Sequence, residues 1–169
     1  MRRIEYVSRI LLEVRHILGN DEFKIRLNDF DSRLILQKTI YLAQTIFGID
    51  LGYSFGWYIY GPYSPDLTYE AFRYPEVFDS IFEEKIELED ISDIKTKIYG
   101  LAKFLRECIS ATEISLPLLL EFVTSVIYRA KTYGRTLNDA WEEVFRIKPK
   151  FEKYRNDLRP LLKIIARYV

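Results

Sequence analysis

The apolar positions of this chain recur mostly at spacings of three and four, with two short stretches at a spacing of two. In residues 3–18, Ile4, Val7, Leu11, Val14 and Leu18 define one face of a helix, and Gly19-Asn20 supplies its stop. Residues 22–27 alternate, with Phe23, Ile25 and Leu27 set against Glu22, Lys24 and Arg26, which predicts a short strand. A helix follows from Asp31 or Ser32, either of which can cap it, to Gly48. Its apolar arc runs through Ile35, Leu36, Ile40, Leu42, Ala43, Ile46 and Phe47, wide enough to pack on more than one side. Arg33, Gln37, Lys38, Gln44 and Thr45 fall on the opposite arc.

Next, Tyr53, Phe55, Trp57 and Ile59 alternate with Ser54, Gly56, Tyr58 and Tyr60, predicting an aromatic strand that stops at Gly61-Pro62. A strand needs partners for its backbone groups, and residues 22–27 are the expected ones. Ser64 as N-cap, Pro65 at the first helical position and Asp66 in the first turn open another helix. A short helix is expected over 75–85, with Val77, Phe78, Ile81 and Phe82 inward. Ile91, Ile94, Ile98, Leu101, Ala102, Leu105 and Ile109 form the stripe of a helix over 91–109. The helix over 116–132, with Ser115 as cap, is apolar almost all round from Leu118 to Tyr128 and is expected at the centre. Thr136 with Asp139 resembles a capping box, and Leu137, Ala140, Trp141, Val144 and Phe145 form the face that follows. Residues 148–151 form a turn, and a last helix runs to about Tyr168, with Pro160 tolerable only in its first turn. The expected fold is mainly α: a single-domain helical bundle over 1–169 with a small two-stranded β unit, winged-helix-like at most.

Composition narrows the class. The chain has 169 residues, 49% apolar and 15% aromatic, with 7 Gly and 6 Pro, which is the profile of an ordered globular protein. A single cysteine, Cys108, excludes an intramolecular disulfide framework and a cysteine-rich zinc site. Glu5, Arg9, Glu13 and Arg15 interrupt the N-terminal apolar run, so no signal peptide is read there. No charge-free stretch has transmembrane length, and a soluble cytoplasmic protein is expected. One Cys, one Met and only Gln37 and Gln44 as glutamines, beside abundant Ile, Tyr, Lys, Arg and Glu, resemble a thermophile's usage. The formal net charge is zero, yet residues 66–113 carry twelve acidic and six basic side chains, and residues 146–169 carry eight basic and two acidic ones. These segments read as two partner surfaces, as faces that meet in the fold, or most simply as solvated helix faces.

Catalytic chemistry is not evident. His16, the only histidine, lies on a helix with no serine or cysteine at motif spacing, and Cys108 reads as a buried, inert thiol. No metal motif, P-loop, dinucleotide fingerprint or nucleophile elbow occurs. Glu83, Glu84, Glu87, Glu89, Asp90 and Asp93 form an acidic run, and Pro65-Asp66 with Glu83-Glu84-Lys85 imitates a restriction-nuclease pattern. That chemistry needs its Glu and Lys on a strand, whereas these sit among helix-spaced Phe78, Ile81, Phe82 and Ile86. No catalytic residue, metal ligand or cofactor is therefore assigned. Two binding patterns remain. Arg155, Arg159, Lys163 and Arg167 recur every fourth residue, extended by Lys148, Lys150 and Lys153, as a phosphate-contacting stripe would. Trp57, Tyr58, Tyr60 and Tyr63 cluster around Gly61-Pro62, where a protein partner or a helix suits them better than stacked bases.

LQKTIYLAQ (36–44) followed by FGWYIYGPYSPDL (55–67) resembles the helical SocA-like Panacea and YwgA-type proteins. Leu36, Gln37, Lys38, Tyr41, Leu42, Phe55, Trp57, Tyr60, Gly61, Pro62, Tyr63, Ser64 and Pro65 carry the likeness. LEFVTSVIYRAK and FRIKPKF resemble the C-terminal half of the same family, while the N-terminal helix and residues 22–27 are not covered. The resemblance implies a mainly helical, non-enzymatic protein associated with antitoxins, proteolytic adaptors and phage-defence neighbourhoods. The expected function is that of an antitoxin-like or antiviral-defence accessory protein that binds a partner protein encoded nearby: a toxin, a nuclease or another effector. The expected contacts are Trp57, Tyr58, Tyr60, Tyr63, Gln37 and Lys38, with a homo-oligomer also open. The alternative is DNA or RNA binding through the basic C-terminal helix.

Overall fold

In the computed structural model, which describes residues 2–79 and 92–169, the chain is mainly helical with one two-stranded antiparallel sheet. Helix α1 (Arg3–Leu18) buries Ile4, Val7, Ile10, Leu11 and Val14 and ends as its pattern predicts. Gly19 takes φ +61° there, and its N–H bonds back to the carbonyl of Arg15. Helix α2 (Phe30–Thr45) starts slightly earlier than predicted, because Asp29 is its cap and accepts from the Ser32 N–H at 2.9 Å. Strands β1 (Gly56–Tyr58) and β2 (Gly61–Tyr63) lead into α3 (Pro65–Arg73), capped by Ser64. Helices α4 (Lys95–Ala111), α5 (Leu116–Tyr133), α6 (Leu137–Ile147), α7 (Arg155–Leu158) and α8 (Pro160–Ala166) follow. Tight 3-10 turns occupy Asp21–Phe23, Pro75–Phe78 and Pro149–Tyr154.

Helix α5 is central, as its all-round apolar surface requires: it touches α2, α4, α6, α8 and strand β2. Phe122 on this helix meets Trp141, Phe145 and Phe151 at ring-centroid distances of 4.9, 5.2 and 5.1 Å. Such contacts each add about 0.5–1.5 kcal/mol beyond area burial, so this cluster fixes α6 and the following turn against the core. Thr136 caps α6 by accepting from the Asp139 N–H at 3.1 Å. Ser115 occupies the N-cap position of α5 without a side-chain cap bond. Among the described residues no single helix is long and apolar enough to cross a membrane.

Several local expectations need correction. Residues 22–27 are not a strand and do not pair with the aromatic segment. Their alternation is real, since Phe23 and Ile25 are buried, but their backbone groups find local partners. The Phe23 and Lys24 N–H groups bond to Asn20 and Asp21 carbonyls, and the Arg26 N–H bonds to Ser32 Oγ at 2.7 Å. The aromatic segment makes a hairpin with itself instead. It turns over Ile59 and Tyr60, so that Gly56, Trp57 and Tyr58 face Tyr63, Pro62 and Gly61. The predicted strand stop at Gly61-Pro62 is thus the start of the second strand.

The predicted last helix is divided into the Pro149–Tyr154 turn, α7 and α8. Pro160 stands at the first position of α8, where its missing N–H costs nothing. Helix α4 begins at Lys95, with Ile94 as its cap position. The predicted helix over 75–85 is a 3-10 turn as far as Phe78. Ile81, Phe82, Lys85, Ile86, Ile91 and the run Glu83, Glu84, Glu87, Glu89 and Asp90 lie outside the described residues.

Candidate functional site

An isolated two-stranded hairpin is marginal in water, so something must hold β1 and β2 in place. Three side chains do so. Gln37 on α2 donates to the Ser64 carbonyl at 2.9 Å and accepts from the Ser64 N–H at 2.8 Å. Lys38, the next residue on α2, donates to the Pro62 carbonyl at 2.6 Å. Lys148, just after α6, donates to the Ile59 carbonyl at 2.6 Å. Gln37 and Lys38, expected as partner contacts, are spent on the hairpin backbone instead: both are buried, Lys38 to 1% exposure. The reason is the wide packing of α2, whose second side receives strand β2, with Gln37 also donating to Thr68 of α3 at 2.9 Å.

Beneath the hairpin lies a charged cluster. Glu121 on α5, 2% exposed, accepts from Lys148 at 2.9 Å and from Lys150 at 2.8 Å. Lys38 makes no ion pair among the described residues, although the Glu121 charge reaches it. Burial pushes the Lys38 ammonium down to about 7; Glu121 opposes this, while Lys148 and Lys150 add to it. Burial also lowers Lys148, against its bond to Glu121. Gly61 completes the fit. It has φ +89°, and a Cβ there would sit 2.6 Å from Ser125 Oγ, so both conformation and space require glycine. Ser125 Oγ is buried without a hydrogen-bond partner among the described residues.

The two faces of the hairpin differ. Trp57 turns towards α5, 5.6 Å from the Tyr128 ring, with Arg129 and Lys148 over its face at 5.0 and 5.3 Å. It is half-buried and belongs to the packing against α5 rather than to an open surface. Tyr58 and Tyr60 are exposed, and Tyr63 is half-exposed at 5.0 Å from Tyr58. These three residues, with Gln37 and Lys38, line one groove of about 300 Å³ between the hairpin, α2 and α3. Five of the six expected partner contacts thus meet at one place.

The groove also holds residues that the periodicity did not single out. Ile59, expected to alternate with Trp57 on an inner face, sits at the hairpin turn and is 83% exposed. Phe30 and Phe72 are exposed on the neighbouring helices, Phe30 lying 5.0 Å from Tyr60. Among the described residues, five of the ten exposed large hydrophobic side chains (Phe30, Tyr58, Ile59, Tyr60 and Phe72) line this groove. The available signal was compositional for Phe30, which lies between Asp29 and Asp31; nothing comparable marks Phe72, which follows Ala71.

The basic residues of the C-terminal segment are dispersed and largely engaged. Lys148 is buried, and Lys150 shares Glu121 and lies 5.1 Å from the Tyr60 ring. Arg155 pairs with Glu142 and Glu152, and Arg167 with Glu107. Arg159 bonds to Asn156, and Lys153 lies 5.1 Å from the Tyr154 ring. Among the described residues, the ion pair of Arg167 with Glu107 is the one that joins this segment to the acidic stretch 66–113. Arg155 lies in α7 and Lys163 in α8, with Arg159 between the two helices and Arg167 just past the second.

His16 is exposed on α1, and Cys108 is buried on α4, its thiol pushed up to about 12 by burial. Asp66 is exposed in the first turn of α3. Among the described residues no cluster of three or more His, Cys, Asp or Glu groups is arranged to hold a metal ion. No family model, curated protein or solved structure matches the chain.

Proposed function

We propose that the protein is a non-enzymatic interaction module that binds a partner protein through the groove between the hairpin, α2 and α3. The observation that carries this reading is the concentration of exposed apolar groups around that groove, headed by Ile59 at the turn. Exposed apolar surface gathered in one place on an ordered scaffold is the mark of a binding surface. Covering a side chain such as Ile59 contributes roughly 1.5–3 kcal/mol, and several together supply the core of an interface. The anchoring by Gln37, Lys38 and Lys148 keeps the hairpin in one position and reduces the entropy lost on binding. An antitoxin-like or defence-associated accessory role, with a toxin, nuclease or other effector as partner, accords with the likeness to SocA-like Panacea and YwgA-type proteins.

The test is co-purification with the products of neighbouring genes, for the wild type and for a Tyr58→Ala, Ile59→Ser, Tyr60→Ala variant. The expected result is a stable complex that the variant loses while keeping its circular dichroism spectrum and thermal midpoint. Exposed positions of this kind change stability by only about 0.5 kcal/mol each. A folded variant that still captures the partner, or a wild type that stays a monomer beside every neighbour product, would sink the reading.

A further inference from the structure

The groove is apolar, but its lining is not electrically neutral. It includes two basic side chains, Arg33 and Lys38, the second protonated only up to about pH 7, and no carboxylate. Neither cation makes an ion pair among the described residues. Lys38 uses one N–H, on the Pro62 carbonyl, and the nearby carboxylate of Glu121 is held by Lys148 and Lys150. Arg33 is half-exposed, donates to the Leu27 carbonyl at 2.7 Å and lies 5.7 Å from the Phe30 ring. Its remaining N–H donors are available, and a guanidinium presents them in the fork that a carboxylate matches. Positive charge at the edge of an apolar, poorly hydrated groove attracts an anion more strongly than the same charge in open water.

We infer that the partner segment filling this groove carries a carboxylate among apolar side chains, the acid bonding Arg33, with Lys38 buried in the same lining. This rests on the groove being the partner-binding surface and adds the chemistry of what binds there. The apolar side chains of the segment cover Ile59, Tyr60 and Phe72. A singly charged acid flanked by apolar groups suits these walls better than a phosphate chain, whose repeated charges the aromatic walls would desolvate without partners.

The full-length protein is immobilised and offered two pools of short peptides. Their outer positions are drawn from Leu, Ile and Phe, and the central residue is Glu in one pool and Gln in the other. Captured peptides are identified by mass spectrometry and re-measured by fluorescence anisotropy. The expected result is about tenfold tighter binding of Glu peptides than of their Gln counterparts, the size of a charge-assisted hydrogen bond. Arg33→Gln removes that preference and Lys38→Met reduces it, each read as the ratio of Glu-peptide to Gln-peptide affinity within one variant, since Lys38 also anchors the hairpin. Arg33→Lys, which keeps the charge and loses the fork, retains part of it and guards against a folding defect in the first variant. Equal binding of the two pools overturns the carboxylate and leaves the groove reading standing. A preference that survives both Arg33→Gln and Lys38→Met overturns the assigned residues. Capture of neither pool overturns the carboxylate proposal and, if the neighbour products also fail to bind, the groove reading with it.

Discussion

The hairpin region and the C-terminal basic segment are both candidate interfaces, and they differ in how completely their own fold satisfies them. Around the hairpin, polar groups are deeply tied in and apolar groups are left out: Lys38 and Gln37 are buried and bonded, while Tyr58, Ile59 and Tyr60 face solvent. In the C-terminal segment the reverse holds. Phe151, Leu158, Leu161 and Ile165 are buried, and of the cations that remain outside, Lys150, Arg155 and Arg167 meet carboxylates of the same chain. A charge that already has a partner gains little from a new one, whereas exposed apolar surface gains whatever area a partner covers. Charge density along a sequence therefore identifies a possible interface less well than unsatisfied surface in the fold.

The largest expected effect breaks the anchoring of the hairpin. Replacing Glu121 by Leu leaves Lys148 buried with only the Ile59 carbonyl, while exposed Lys150 can turn to water. Removing one partner of a buried pair costs about 3–5 kcal/mol, and pairing Glu121→Leu with Lys148→Met should recover most of it. Urea unfolding measures both, and hydrogen exchange over residues 56–63 reports whether the loss is felt in the hairpin. A single-variant cost near zero would mean that the hairpin is not held from below, and the contrast between the two regions would lose its basis.

A smaller effect, with a defined pH window, tests the burial of Lys38. In the unfolded chain its amine keeps protons up to its ordinary value of 10.5, and in the fold it releases them near 7. Between those values the unfolded chain holds more protons, so stability rises with pH. Lys148, lowered in the fold, acts in the same direction. Above pH 9 the Cys108 thiol opposes them, because it ionises in the unfolded chain while its folded value is about 12. The clear window is pH 7 to 9, where a full proton difference amounts to about 2–3 kcal/mol. Chemical denaturation at steps across this window should show that rise in the wild type and a much flatter dependence in Lys38→Met. An equal slope in both would place the titration elsewhere.

Much of this was legible in the sequence because helices write their packing into local periodicity. The stripes of α1, α4 and α6, the all-round apolar α5, the stop at Gly19 and the start at Ser64-Pro65 all read directly. The hairpin did not, because period two gives a strand's faces but not its partner. The bond of the Arg26 N–H to Ser32 satisfies the first segment without a strand, and Gly61 fits tightly against Ser125; neither contact is written in a period of two. The aromatic half of the groove was legible as an excess of Tyr near a Gly-Pro turn. Its floor was not, because nothing local to Gln37 and Lys38 reveals that the backbone of residues 62–64 bonds to them.

The smallest expected effect concerns the basic segment and decides whether the contrast is right. Within the predicted stripe, Lys153, Arg159 and Lys163 have no carboxylate partner among the described residues, so they are its cations most available to phosphate. Three phosphate contacts would give a slope of log affinity against log salt of magnitude roughly 3 or less. Neutralising them together with Arg155 and Arg167, as glutamines, should leave the thermal midpoint nearly unchanged, because surface ion pairs add little. It should also leave capture of the protein partner intact. Filter binding of a DNA duplex across a salt series, run beside that capture assay, separates the two regions. Steep salt-dependent binding that vanishes in the glutamine variant, together with a partner complex that vanishes with it, would move the interface to α7 and α8. Retention of the partner with a flat duplex response keeps it at the hairpin, where apolar surface rather than charge is left for a partner to satisfy.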